Sequence, residues 1–147
     1  MRKIDIDFLN AIDSFDLEKI KVLIDLGADV NVDDDYAVRH AAYNNNIEIT
    51  KLLLDRGANS NENDDSAFRW AAERGSLEIV KLLIEKGANI HAKDNYALRL
   101  SSRNGHLEVV RLLLDNGADP YAGGEYALGW SSFFKHFEVV KLLKSKM

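Results

Sequence analysis

The residues of this sequence best suited to acid–base or metal chemistry are its four histidines, His40, His91, His106 and His136. A metal site on one helix face needs two ligands three or four residues apart, and no two of these histidines have that spacing. The chain contains no cysteine, which excludes disulfides, thiolate metal sites and cysteine nucleophiles. The histidines therefore predict neither a metal centre nor a catalytic base.

Two further features could bind ions or phosphate, and neither has the required pattern. The acidic run Asp33-Asp34-Asp35 lacks the spacing of a calcium-binding loop, and we interpret its carboxylates as solvated loop residues that balance nearby arginines. The pair Gly123-Gly124 indicates a turn and lacks the rest of a phosphate-binding loop. The sequence predicts a non-enzymatic protein with no catalytic residues, no cofactor and no metal.

Size and charge narrow the class of protein further. The chain has 147 residues, enough for one domain, and its formal net charge of -5 weighs against a nucleic-acid binder, because phosphate contacts need clustered Lys and Arg. No apolar run approaches the ~20 residues of a membrane span, and the start of the chain turns acidic too early for a signal peptide. We expect an intracellular, cytoplasmic protein with no nucleic-acid partner and no membrane partner.

A repeat of fixed length organises the whole chain. Gly-Ala pairs begin at Gly27, Gly57, Gly87 and Gly117, each 30 residues after the one before. A period of this length is typical of a stacked array of helical units. The sequence therefore predicts a single domain, 1–147. Its five repeats are expected at about 1–30, 31–60, 61–90, 91–120 and 121–147.

Each repeat is predicted to hold two short helices, A and B, preceded by a short polar loop that we name the finger. The apolar residues of helix A follow the i, i+3, i+4 pattern of one buried face. Helix A is expected at 36–44, 66–74, 96–104 and 126–134. It ends where Asn45, Gly75 and Gly105 can adopt a left-handed conformation. Helix B follows at once, and an Asp, Asn or Ser at its start can cap free N–H groups.

The two ends of the array differ from its middle. Lys19 and Lys144 replace residues that are apolar in the other repeats. A terminal repeat needs a polar outer face, because no neighbour covers it. We therefore expect the first and last repeats to act as caps of the array.

The second half of each repeat resembles an ankyrin repeat, most closely in Gly105-His106-Leu107-Glu108-Val109-Val110 and the residues that follow to Asp119. The resemblance covers essentially the whole chain. It implies an all-α, ankyrin-like solenoid of five helix-turn-helix repeats with short finger loops. The family usually has a period of about 33 residues and a Thr-Pro-Leu-His motif. Here the period is 30, and Tyr96-Ala97-Leu98-Arg99 stands in place of that motif.

The altered motif removes the hydroxyl and imidazole groups that the family uses near its fingers. We expect Arg39, Arg69 and Arg99 to replace that network by pairing with finger acids. The short repeat with Asn95-Tyr96-Ala97-Leu98-Arg99 resembles repeats abundant in giant DNA viruses of amoebae. That resemblance implies a viral protein located in the cytoplasm of the host.

In ankyrin proteins the inner face of helices A and the fingers form a concave groove that takes protein partners. The helix A positions opposite the buried face are rich here in Trp, Tyr and Arg, which anchor interfaces. The predicted partner-binding residues are His40, Tyr43, Asn44, Trp70, Glu73, Arg74, Leu100, Arg103, Asn104, Trp130, Phe133 and Phe134. The predicted finger contacts are Asp33, Asp34, Asp35, Asp64, Asp65, Lys93 and Asp94.

Not every aromatic residue of helix A is assigned to binding. The tyrosines that recur at one position are interpreted as structural, since a partner-specific surface would vary: Tyr36, Tyr96 and Tyr126. The last repeat carries a candidate exposed apolar patch: Trp130, Phe133, Phe134 and Phe137. We expect a monomeric protein-binding module. The alternative is a structural protein that forms homodimers through the C-terminal repeat.

Overall fold

The computed structural model describes the backbone of residues 1–147 and all side chains except those of residues 62 and 63. The predicted finger at 61–65 therefore includes two residues whose side chains lie outside the described part of the structure. Along the described backbone the chain forms ten α-helices and no strand, which confirms the all-α prediction. The helices are α1 (Lys3–Asp13), α2 (Leu17–Asp25), α3 (Val32–Tyr43), α4 (Ile47–Asp55), α5 (Glu62–Glu73), α6 (Leu77–Glu85), α7 (Ala92–Arg103), α8 (Leu107–Asp115), α9 (Ala122–Phe133) and α10 (Phe137–Lys146).

The helices stack in two layers. The odd-numbered helices correspond to helix A and pack side by side, and each even-numbered helix B packs against its own helix A. Successive helices A carry fully buried apolar residues at equivalent positions: Phe8, Val38, Phe68 and Leu98. Ala71 and Ala72 are buried as well, and their small side chains let neighbouring helices approach closely. This continuous core leaves the opposite face of helices A free of core packing.

The fingers end in a left-handed turn. Asp33, Asp34 and Asp35 have φ values of 58°, 52° and 60°, so the right-handed part of α3 begins only at residue 36. Residues 93–95 and 123–125 make the same turn at the start of α7 and α9. The predicted starts of helix A at 36, 96 and 126 are therefore confirmed. The left-handed turn itself does not follow from the sequence pattern.

Asp16, Asn46 and Ser76 stand at the start of a helix B, and two of these three side chains cap their helix as predicted. The side chains of Asp16 and Asn46 accept backbone hydrogen bonds at 3.1 and 3.0 Å, as expected of N-caps. The prediction is wrong for Ser76, whose side chain makes no capping bond. The chain closes a tighter turn there, in which the N–H of Leu77 donates to the carbonyl oxygen of Gly75 at 2.9 Å.

The outer faces of helices B are polar and exposed. Ion pairs between residues three apart span 3.2 to 3.7 Å: Glu18–Lys21, Glu78–Lys81 and Glu108–Arg111. Each such exposed pair contributes little, about 0.3–0.5 kcal/mol. Lys19 and Lys144 are also exposed, as expected for residues on the outer faces of the first and last repeats.

Candidate functional site

The structure places eleven of the twelve predicted partner-binding residues where solvent reaches them; we name these eleven the inner face. Seven are exposed: Tyr43, Asn44, Arg74, Asn104, Trp130, Phe133 and Phe134. Four are half-buried: His40, Trp70, Glu73 and Arg103. The prediction is wrong for Leu100, which is only 7 % exposed. Leu100 lies on α7, between the helices that carry Trp70 and Trp130 at the same register, so large side chains flank it on both sides.

An aromatic pocket opens between α3 and α5 on the inner face. The rings of Tyr43 and Trp70 meet edge to face, with centroids 6.0 Å apart. His40 is stacked between Phe15 and Tyr36 at centroid distances of 5.3 and 5.1 Å. The pocket has a volume of about 270 Å³ and is lined by Tyr36, Arg39, His40, Tyr43 and Trp70. Its walls are mostly ring faces, which suits an apolar or aromatic group.

The recurrent tyrosines have partners that hold them in place. The hydroxyl of Tyr36 donates to a carboxylate oxygen of Asp13 at 2.7 Å, and this hydrogen bond raises the pKa of Tyr36. The hydroxyl of Tyr96 donates to Glu73 at 2.9 Å. Burial raises the pKa of Tyr96, and the bond to Glu73 adds to the shift. These contacts agree with a structural role for the tyrosines.

Two arginines of the inner face lie flat on aromatic rings. The guanidinium of Arg74 is 4.7 Å from the ring centroid of Tyr43. That of Arg103 is 5.3 Å from Trp130 and 5.8 Å from Phe134. A guanidinium stacked in this way keeps its edge N–H groups available for an acceptor. Beside Arg74 a second pocket of about 340 Å³ is lined by Tyr43, Trp70, Glu73, Arg74 and Asn104.

The last repeat exposes a cluster of aromatic rings. Trp130, Phe133 and Phe134 contact one another with centroid distances of 5.1 to 5.7 Å. Phe133 is 72 % exposed and Phe137, at the start of α10, is 70 % exposed. Exposed apolar clusters of this kind often mark interaction surfaces.

Arg39, Arg69 and Arg99 all contact the fingers, and the predicted pairing with a finger carboxylate is seen for Arg99. Arg39 and Arg69 donate through Nε to the carbonyl oxygens of Asp34 and Asp64 at 2.9 and 2.8 Å. Arg99 lies 3.9 Å from the carboxylate of Asp94 and also contacts finger carbonyls. Backbone carbonyls therefore act as acceptors beside the predicted carboxylates.

The finger acids divide into two groups. Asp33, Asp34, Asp64 and Asp94 are exposed, which confirms that they are solvated. Lys93 joins two fingers through an ion pair of 2.6 Å with Asp64, and this contact lowers the pKa of Asp64. The prediction of solvated tips is wrong for Asp35 and Asp65, which are 5 % and 6 % exposed.

An Asp or Asn at the start of helix A binds the backbone at the far end of its own repeat, just before the next finger. Asp65 accepts from the backbone N–H of Asn89 at 3.2 Å, and Asn95 accepts from that of Asp119 at 2.9 Å. Asp5 makes the equivalent bond to Asp29 at 2.9 Å. An Asp or Asn recurs in the sequence at 5, 35, 65 and 95. This recurrence with a period of 30 is the sequence pattern that indicates their shared structural role. These residues are structural, so Asp35 and Asp65 offer nothing to a partner.

His106 and His136 pack against glycines of the preceding repeat. Nε2 of His106 donates to the carbonyl oxygen of Glu73 at 2.9 Å, and the ring covers Gly75. His136 covers Gly105 in the same way. Gly75 and Gly105 end helix A with a φ of 76°, as predicted. Among the described side chains, no group of three His, Cys, Asp or Glu residues could hold a metal ion.

Comparisons with known proteins were made for the whole chain. A family model for ankyrin repeats in three copies matches residues 8–94, and a second ankyrin-repeat model, for many copies, matches residues 97–143. A search of curated protein sequences finds no match. No helix within the described part of the chain is long and apolar enough to cross a membrane. Together, the stacked helix pairs and the two matches show that this chain belongs to the ankyrin-repeat family.

Proposed function

We propose that this protein is a non-enzymatic binding module that takes a protein partner on its inner face and on the exposed finger residues. Ankyrin repeats are in general protein–protein interaction modules. The observation that carries the proposal is the open pocket between Tyr43 and Trp70, on the face of helices A that the core does not use. The two rings pack against each other between repeats, and the open pocket beside them leaves part of their surface accessible to a partner.

The composition of the inner face supports the same proposal. Trp, Tyr and Arg dominate the energetics of many protein interfaces, because they bury large areas and offer hydrogen bonds at their edges. Here Trp70, Arg74, Arg103 and Trp130 occur on three adjacent helices, α5, α7 and α9. A partner of ordinary size covers about 800 Å² on each side of an interface, which several adjacent repeats can provide.

The proposal can be tested by capture of partners from a lysate of a candidate host cell. Three immobilised proteins are compared: wild type, the variant Trp70→Ala/Trp130→Ala, and the control Lys51→Ala/Lys141→Ala on the exposed faces of helices B. Circular dichroism and thermal unfolding establish that each is folded. We expect partners retained by the wild type and the control to be lost from the tryptophan variant. Partners retained equally by all three would place the binding site elsewhere.

A second candidate function is self-association through the last repeat. It is favoured by the exposure of Phe133 and Phe137, whose rings could be covered by a second copy of the chain. Light scattering over a range of concentrations tests it. A dimer that Phe137→Ser abolishes and Trp70→Ala leaves intact would support this function, whereas a monomer at every concentration would remove it.

The location and origin of the protein are also proposals. The cytoplasmic location is supported by the absence of cysteine and the acidic composition, and the viral origin by the motif Asn95-Tyr96-Ala97-Leu98-Arg99 alone. Expression of a fluorescently tagged chain in amoebal cells would test the location. Accumulation inside an organelle would contradict it.

A further inference from the structure

We propose that the partner presents an acidic segment with one large apolar side chain, which lies across the C-terminal ends of α3, α5 and α7. The apolar side chain would enter the pocket between Tyr43 and Trp70, and carboxylates further along the segment, toward the later repeats, would meet Arg74 and Arg103. This inference rests on the proposed function of the inner face. It specifies in addition the charge and the apolar side chain of the partner's binding segment.

The segments of three helices A that follow the acidic finger residues carry a charge opposite to that of the protein. The segments 36–44, 66–74 and 96–104 contain five arginines and one glutamate, in a chain whose net charge is -5. The five arginines are Arg39, Arg69, Arg74, Arg99 and Arg103. Such a local reversal attracts acidic groups to this face and steers their approach.

The five arginines divide into two sets with different surroundings. Arg39, Arg69 and Arg99 donate to finger carbonyl oxygens, so the fold itself uses them. Arg69 and Arg99 also lie over tyrosine rings. Arg74 and Arg103 lie over rings at the other end of helix A, away from the fingers. Among the side chains that the structure describes, neither of these two takes part in an ion pair. Their planar groups are held by the rings with the edge N–H groups able to bind a carboxylate through two parallel hydrogen bonds.

The aromatic pocket sets the size of the apolar group. Its volume of about 270 Å³ is below the range of about 300–1,000 Å³ that is typical of small-molecule sites. The pocket is open to solvent, and the space beside Arg74 is its neighbour, since Tyr43 and Trp70 line both. A single large side chain on an extended or helical segment fits this arrangement better than a free metabolite.

The acidic fingers do not oppose this placement. Asp64 and Arg74 are ten residues apart, which at a rise of about 1.5 Å per residue places them about 15 Å from each other. This distance exceeds the Debye length of about 8–10 Å at physiological salt. Asp64 is in addition paired with Lys93 at 2.6 Å. An acidic segment at the C-terminal ends of helices A is therefore screened from the exposed finger acids.

The test is selection of binders from a phage-displayed library of random peptides, with the full-length wild-type chain immobilised at physiological ionic strength, where the finger acids are screened. We expect enriched sequences to combine Asp or Glu with one Trp, Phe or Leu. A synthetic peptide of the enriched sequence is then titrated by fluorescence anisotropy against Arg74→Glu/Arg103→Glu and against the charge-matched control Lys51→Glu/Lys141→Glu. We expect affinity to fall by about tenfold or more for the first variant and by about twofold or less for the control.

The outcomes separate the partner's chemistry from the proposed function. Enriched peptides rich in Lys or Arg that still lose binding with Trp70→Ala would overturn the acidic segment and leave the inner face as the binding site. Acidic peptides that bind the two charge variants with equal affinity, and whose affinity Trp70→Ala leaves unchanged, would contradict both the acidic segment and the binding site on the inner face. Failure of the folded wild type to enrich any peptide would also count against a linear acidic segment.

Discussion

The imidazole of His106 lies directly on Gly75. A Cβ atom at residue 75 would be 2.5 Å from Nδ1 of His106, closer than non-bonded atoms approach. His136 and Gly105 repeat this relationship, at 2.6 Å. At the corresponding position of the second repeat, Asn45 replaces the glycine, and Ser76 replaces the histidine of the following repeat. Glycine and histidine therefore occur as a pair. Each histidine ring fills the space that a side chain would need at the glycine position of the preceding repeat.

Gly75→Ala is expected to destabilise the fold through two separate effects. Alanine at a φ of 76° costs about 1–2 kcal/mol, and its contact with the His106 ring adds about 1–3 kcal/mol. Gly87→Ala is the matched control, because Gly87 has a φ of 89° and no atom within 4 Å of the added carbon. Denaturant unfolding should show the larger loss for Gly75→Ala. His106→Ala in the Gly75→Ala background should recover part of it, and strictly additive losses would contradict the packing account.

Asp5 and Asp65 should respond in opposite directions to substitution by Asn. The hydrogen bond from Arg2 lowers the pKa of Asp5, so its stabilising effect is present above the unfolded pKa and is lost as the pH falls through the folded one. Burial raises the pKa of Asp65, so its charged form reduces stability once the pH rises through the folded pKa. Asn already occupies the equivalent position 95 and accepts the same backbone bond.

At neutral pH we therefore expect Asp5→Asn to lower the melting temperature and Asp65→Asn to leave it unchanged or raise it. The difference for Asp65→Asn should vanish as the pH falls below the unfolded pKa of about 3.9, because the carboxyl group is then neutral in both states of the wild type. The difference for Asp5→Asn should persist to lower pH and vanish only below the lowered folded pKa of Asp5. Thermal unfolding across a pH series measures this. A drop in melting temperature for Asp65→Asn at neutral pH would show that the carboxylate charge at position 65 is needed.

The stacking of arginine on tyrosine between repeats should be measurable by Arg→Lys substitution. The guanidinium of Arg99 lies 4.5 Å from the ring centroid of Tyr126 in the next repeat. Arg39 has no tyrosine to meet in the next repeat, because residue 66 is Ser. We expect Arg99→Lys to cost about 0.5–1 kcal/mol more than Arg39→Lys, since lysine loses the planar contact. Equal losses in denaturant unfolding would show that the ring contributes nothing.

The repeat pattern predicts much of the fold. Asn104-Gly105 in isolation is typical of a hairpin turn, yet the period identifies it as a helix end, and the structure confirms this. The left-handed turn at residues 33–35 could not be predicted, because three consecutive aspartates with positive φ go against local preference. Only Gly123-Gly124, at the equivalent positions of the last repeat, has a composition that suits the turn.

The candidate site is predicted less completely, because its details depend on contacts between repeats. Position along the helix correctly places Tyr43 and Trp70 on the inner face. It cannot show that Leu100 is covered, since that depends on the side chains of two neighbouring helices. Nor does the acidic run distinguish Asp34, which is exposed, from Asp35, which is buried. The recurrence at 5, 35, 65 and 95 would have revealed that difference.

The most direct test of the inner face uses the two tryptophans of the chain. Each gives one indole N–H signal in a ¹H–¹⁵N correlation spectrum, and Trp70→Phe assigns them. When a captured partner is added, the account predicts that the indole signal of Trp70 shifts or broadens while the amide signal of Lys51, on the outer face of α4, stays in place. An unchanged indole signal together with a shifted amide at Lys51 would contradict a binding site on the inner face.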